Sequence, residues 1–185
     1  MKLNAVSMLP LSAERGWPEL IGIRPGLLRL FAFLVLPLSL LPPAMLYFAG
    51  THHPEMFLDA VSGKPWSEIA TVFFVAEIAT VLAMGWFIKQ VADTNGLAIE
   101  THDAYLLAAI TPVPMWLSAL GLLIPNLFAS SAIAIFGLGL SCGILYHGIL
   151  ALCRTREEVV AGSIVHTVIG AGLVAWVSVL LVALA

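Results

Sequence analysis

Charged side chains are scarce in this sequence: Asp, Glu, Lys and Arg make up 10% of its 185 residues, where soluble domains average about 25%. A chain so poor in charge cannot coat a surface that faces water. The 8 Lys and Arg are outnumbered by 11 Asp and Glu and form no basic stripe, which excludes nucleic acid as a partner. Cysteine is nearly missing. Cys142 and Cys153 are the two present, and on one helix they would stand about 16 Å apart, too far to bridge. Disulfide frameworks, CxxC redox sites and thiolate metal sites are thereby excluded. There is no glycine loop for phosphate and no HExxH, so neither of those chemistries is available. No cofactor, no metal and no enzymatic activity are expected, and no motif names a reaction or a substrate.

What the sequence does have is apolar length. Hydrophobic residues make up 61% of the chain and the mean hydropathy is +1.02, values that belong to a membrane protein. The apolar residues gather in runs of roughly 20, the length that crosses a hydrocarbon core at 1.5 Å per residue. Five such segments predict an all-α, polytopic bundle of five transmembrane helices: 27–48, 69–88, 104–124, 127–152 and 162–185. The connectors are short and carry turn residues: Pro54, Gly63 and Pro65, then Asn95 and Gly96, then Pro125 and Asn126, then Arg154 to Glu158. Domain organisation follows as an interfacial segment over 1–26 and a transmembrane domain over 27–185.

Residues 1–26 mix Pro10, Glu14, Arg15, Pro18, Glu19 and Arg24 with the apolar clusters Val6 to Leu11 and Leu20 to Ile23. That pattern lacks an uninterrupted apolar core and reads as a retained surface segment, not a cleaved leader. Lys2, Arg15, Arg24, Arg29, Lys89, Arg154 and Arg156 fall on one side of the predicted bundle and only Lys64 on the other. The excess predicts a cytoplasmic N-terminus and a C-terminus on the far side, periplasmic in a bacterial inner membrane. Trp17, Trp66 and Trp86 lie near segment ends, where indoles anchor in the headgroup layer.

GWPEL near the N-terminus, VLPLSLLPP in the first helix, AYLLAAITPVPMWLSALGLLIP in the third and YHGILALCRTREEVVAGSIV from the end of the fourth together resemble the Yip family, the Ypt/Rab-GTPase-interacting protein domain, in its bacterial branch. Pro114, and His147 between Tyr146 and Gly148, depart from the family pattern. The resemblance implies a five-helix membrane domain with a cytoplasmic N-terminus. For a eukaryotic source it would also imply a small GTPase as partner; for a bacterial one it carries fold further than function.

Several polar residues sit inside the apolar segments. Pro112 and Pro114 interrupt the third helix and release the carbonyls of Ala108 and Ile110, which must find donors away from lipid. Glu77, near the middle of the second helix, is too costly there as a lone charge and is expected neutral or paired. Because it lies at nearly the depth of the break, it is expected to cap it, with Thr111, Thr80 or Trp116 as further partners. The functional alternative makes Glu77 a proton or cation site. Gly139, Gly143 and His147 recur at four-residue steps, as do Gly162, His166 and Gly170; these two faces are expected to pack together and to bring the histidines close, where they could sense pH. Gly139 to Gly143 also spells G-x-S-x-G, but inside a membrane helix it lacks the strand-to-helix turn that the nucleophile elbow requires. Pro37, Pro42 and Pro43 predict a kinked first helix. His52, His53 and Glu55 read as a solvated loop, since adjacent residues rarely aim at one ion.

Taken together, the residues favour an integral membrane scaffold or accessory protein that binds membrane lipids and another integral membrane protein. The alternative is a small proton-linked transporter or channel centred on Glu77 and the Pro112/Pro114 break.

Overall fold

The computed structural model describes residues 13–57, 65–153 and 157–184. Lys2, the Val6 to Leu11 cluster, Gly63, Lys64, Arg154 and Arg156 lie outside the described residues. Among the described residues the fold is all-helical, with five helices long and apolar enough to cross a membrane. A short helix α1 (Ala13–Ile23) precedes the spans. These are α2 (Leu27–His52), α3 (Trp66–Thr94), a broken third span made of α4 (Thr101–Ile110) and α5 (Val113–Ser118), α6 (Leu127–Leu152) and α7 (Glu158–Leu184).

The prolines shape two of these helices. In α2 the backbone widens into a π turn over Phe31–Val35 just before Pro37 and is interrupted again at Leu40, ahead of Pro42 and Pro43. A proline ring collides with the carbonyl four residues back, and a widened turn relieves that collision. Turn chemistry closes α3: Gly96 takes φ 76, Gly96 N donates to Asp93 O at 3.1 Å, and Leu97 N donates to Ala92 O at 3.0 Å. That pairing is a Schellman cap, which needs a residue tolerant of left-handed backbone at Gly96. Asn126 caps α6 by accepting from Ala129 N at 3.1 Å. Ser130 Oγ then ties the preceding turn by lying within reach of the carbonyls of Gly121, Ile124 and Asn126.

The third span lies at the centre. In its most apolar stretch 56% of residues are buried, against 28% or less in every other span. Leu106, Leu107 and Ile110 from α4 meet Leu30 and Val35 of α2, Ile88 of α3, Leu145 and Ile149 of α6 and Ile164 of α7 in one core. Outward, Leu28, Phe33, Val75, Phe128, Ile135, Phe136 and Val174 are exposed, as suits a lipid-facing belt. Lipid gives helices no hydrophobic reason to associate, so close approach at small residues must do it. Three glycines here accept an aromatic side chain where a Cβ would stand: Gly148 under Trp17, Gly50 under Trp66, and Gly85 under Tyr105.

Two tryptophans therefore depart from the headgroup-anchor expectation. Trp17 is fully buried and donates Nε1 to the carbonyl of Ile144 at 3.2 Å. Trp66 is buried against Gly50, with the Phe57 ring tilted against it at a centroid separation of 4.7 Å. The physical reason is the glycine notch, which leaves the indole room to lie directly on the neighbouring helix backbone. Trp86 alone of the three is exposed, at 60%.

Candidate functional site

Proline chemistry sets the site. Pro112 and Pro114 cannot donate to the carbonyls of Ala108 and Ile110, and α4 stops at Ile110. The chain does not reverse there: Thr111 (φ −53, ψ −44) and Pro112 (φ −76, ψ −6) stay right-handed. Thr111 N still donates to Leu107 O, and Trp116 N to Pro112 O, each at 2.9 Å. The break is a slackened turn in an otherwise continuous span. Helix α6 lies directly against it, because a Cβ on Gly137 would fall 3.0 Å from Pro114 O and 2.8 Å from Ser118 Cβ.

Glu77 belongs to the inward stripe of α3. Ile69, Phe73, Val81, Gly85, Ile88 and Ala92 are its buried members, and Glu77 fills the step between Phe73 and Val81. The Trp116 side chain is the polar neighbour of the Glu77 carboxyl. The second oxygen, Oε2, is buried and has no partner, so it caps neither freed carbonyl. Thr80 is half-buried one turn further along the same helix.

Thr111 and Ser141 share that condition. A hydroxyl on a helix ordinarily donates to the carbonyl one turn back, and Thr71, Thr94, Thr167 and Ser178 do so here at 2.7 to 3.0 Å. Thr111 Oγ1 and Ser141 Oγ do not: both are buried and unpartnered. Among the described residues, then, the three buried side-chain oxygens left without a hydrogen bond belong to Glu77, Thr111 and Ser141. They stand on α3, on the break itself and on α6, all well inside the apolar spans. Of these, Glu77 and Thr111 were expected at the break, whereas Ser141 entered only as the serine of the discarded G-x-S-x-G pattern. Its register marks it only once the inward face of α6 is known, since Ser141 precedes the buried Ile144, Leu145 and Gly148 at helical steps.

The glycine and histidine faces differ from expectation. A Cβ at Gly139, Gly143, Gly162 or Gly170 would meet nothing within 4 Å, so the two faces do not pack on one another. The inward stripe of α6 is Gly137, Ser141, Ile144, Leu145 and Gly148, which turns the Gly139 and Gly143 side toward the outside. His166 is exposed and its Nδ1 pairs with the carbonyl of Gly162 at 2.8 Å. His147 instead meets the ring of Tyr146 edge-on at 5.5 Å. No group of three or more His, Cys, Asp or Glu among the described residues could hold a metal. Cys153, just past the end of α6, is held as a thiol: burial first, then the carboxylates of Asp103 and Asp93, push it up to about 11. Beyond the other end of the bundle, His53 Nδ1 meets Glu55 Oε1 at 3.2 Å and His52 stacks on Phe48.

Neither the curated proteins nor the solved structures offer a match to the chain. The model of the Yip1 domain matches residues 7–182. Within that span GWPEL and YHG, far apart in sequence, meet in space, because Trp17 of the first lies on Gly148 of the second. Matched over nearly its whole length and built as five spans, the chain belongs to the Yip family.

Proposed function

We propose that this protein is a non-enzymatic scaffold or accessory protein of the bacterial inner membrane, which binds another integral membrane protein or lipids. One observation carries this reading: the glycines of the α6 and α7 faces are empty while those of the interior are filled. Gly50, Gly85, Gly137 and Gly148 each have a neighbour where a Cβ would stand, whereas Gly139, Gly143, Gly162 and Gly170 have none. Small residues four apart on a lipid-facing helix allow a second helix to approach backbone to backbone. The Gly139 and Gly143 face suits such a helix from another membrane protein. The Lys and Arg excess supports a cytoplasmic N-terminus, and with five spans the C-terminus is then periplasmic. Residues 1–26 form the cytoplasmic interfacial part and residues 27–185 the membrane domain.

The test is purification from native membranes in mild detergent, with particle mass and composition as the readout. A stoichiometric membrane protein that accompanies the wild type and is lost with Gly139→Leu/Gly143→Leu supports the reading. A particle of this chain alone, unchanged by the double variant, overturns it.

The unpartnered oxygens of Glu77 and Thr111 beside the Pro112/Pro114 break favour a second reading, a small proton-linked transporter or channel. Intramembrane acids often mark ion pathways, and broken helices near the midplane expose carbonyls to ions. Proton flux into proteoliposomes, with Glu77→Gln as control, decides it.

A further inference from the structure

At the end of the bundle where α1 meets α2, Ile23, Arg24, Pro25, Gly26, Arg29 and Phe33 line an open cleft of about 450 Å³. We propose that this cleft binds the phosphodiester headgroup of an anionic phospholipid, with Phe33 flanking the upper acyl chain. The proposal rests on the lipid-binding part of the reading above and gives it a place and a chemistry.

Charge is the first argument. Arg24 is paired with Glu100 at the start of α4, while Arg29 has no ion-pair partner among the described residues and is exposed. Arg24, Arg29 and Glu100 together leave one net positive charge, which complements the single negative charge of a phosphodiester. Arginine presents a planar fork of donors that suits phosphate oxygens.

Depth is the second. Arg24 to Gly26 immediately precede the first residue of a membrane-crossing helix, so the cleft opens in the headgroup layer. Phe33 lies one turn beyond Arg29, about 6 Å deeper along the helix axis. It is 70% exposed, and Leu28 beside Arg29 is 85% exposed. A charged mouth above an exposed apolar wall is the profile of a lipid, and a free phosphate would use only the upper half.

Rigidity is the third. The backbone rim is tied down from α4, where His102 Nε2 bonds to the carbonyl of Pro25 at 3.0 Å. Arg24 itself takes a left-handed φ of 42, after which Pro25 prevents α1 from continuing. Gly26, the residue before α2, carries no side-chain cap.

The experiment is native mass spectrometry of the full chain, purified in detergent and supplied with equal amounts of dioleoylphosphatidylglycerol and dioleoylphosphatidylcholine. Wild type should retain phosphatidylglycerol preferentially, and Arg29→Gln should retain it about fivefold less, the effect of one arginine near an anionic surface. Lys89→Gln, a charge on the same side already paired with Asp93, should retain it like wild type. Phe33→Ala, which removes apolar wall without changing charge, should also lower retention, and it serves as the reading if Arg29→Gln does not purify as a monodisperse particle. Equal retention of the two lipids, retention unaffected by Arg29→Gln or Phe33→Ala, or displacement by soluble glycerol 1-phosphate at millimolar concentration would each overturn the proposal. Co-purification of a membrane partner, followed in parallel on Arg29→Gln, should be unchanged, so the lipid site and the scaffold reading fail separately.

Discussion

The indole of Trp17 lies across Gly148, and its Nε1 donates to the carbonyl oxygen of Ile144 at 3.2 Å. The contact joins the N-terminal helix to the fourth span through a residue that has no side chain. A Cβ at position 148 would fall 2.6 Å from Trp17 Cζ2 and also strike Leu107, so the indole and the α6 backbone occupy adjoining space with nothing to spare.

Trp17→Phe should therefore cost about 1 kcal/mol, the loss of one hydrogen bond. Trp17→Ala should cost about 3–5 kcal/mol by emptying the notch, and Gly148→Leu should lift α1 from α6. Thermal unfolding in detergent measures the first two. Proteolysis within residues 13–23 measures the third, with faster cleavage in Gly148→Leu as the expected outcome.

The two classes of glycine should separate cleanly. Gly85→Leu, against Tyr105, should destabilise the protein by about 1–3 kcal/mol through overpacking. Gly139→Leu, where a Cβ meets nothing, should leave the melting temperature unchanged and remove only an accompanying membrane protein. An equal melting loss in both variants would show that the α6 face is filled within the chain.

Glu77 discriminates between the two functional readings. Glu77 Oε2 is buried without a hydrogen-bond partner, a cost that an apolar residue of similar size does not carry, so in a scaffold Glu77→Leu should melt no lower than wild type. In a transporter, Glu77→Gln should abolish proton flux while the variant still purifies as the same monodisperse particle as wild type.

Cys153 should be slow to alkylate. With its thiol pushed up to about 11 by burial and then by Asp103 and Asp93, the thiolate is rare at pH 8. Labelling by iodoacetamide should run on the order of a hundredfold slower than in denaturant and rise about tenfold per pH unit up to that value. Rapid labelling of the folded protein at pH 8 would contradict the acidic, buried setting.

Much of the architecture was legible in the sequence because it depends on length and on proline. Apolar runs of membrane-crossing length gave five spans, and Pro37, Pro42, Pro112 and Pro114 marked where α2 and the third span yield. The tryptophans were not legible in the same way. An indole near a helix end fits a headgroup or a glycine notch equally well, and the choice at Trp17 depends on Gly148, which only the fold brings near. Helix rotation was the other unread quantity. Gly139 and Gly143 form as good a small-residue stripe as Gly137 and Ser141, and which of them faces inward is decided by Ile144, Leu145 and Ile149 on the adjacent register. At the candidate site, Glu77 and Thr111 stand out by type, whereas Ser141 becomes notable only once its hydroxyl is found without the back-bond that its surface counterparts make.

The burial of the third span bears on the order in which the chain assembles. At the moment α4 and α5 leave the ribosome, neither α6 nor α7 exists, so the side of the break that α6 covers in the finished protein is still open. Its cover arrives with the next segment, whose Gly137 seats directly on Pro114. The third and fourth spans are thus suited to enter the bilayer as a hairpin, held at the tip by Asn126 and Ser130. Weakening that tip should raise degradation during synthesis more than it lowers the stability of the finished protein.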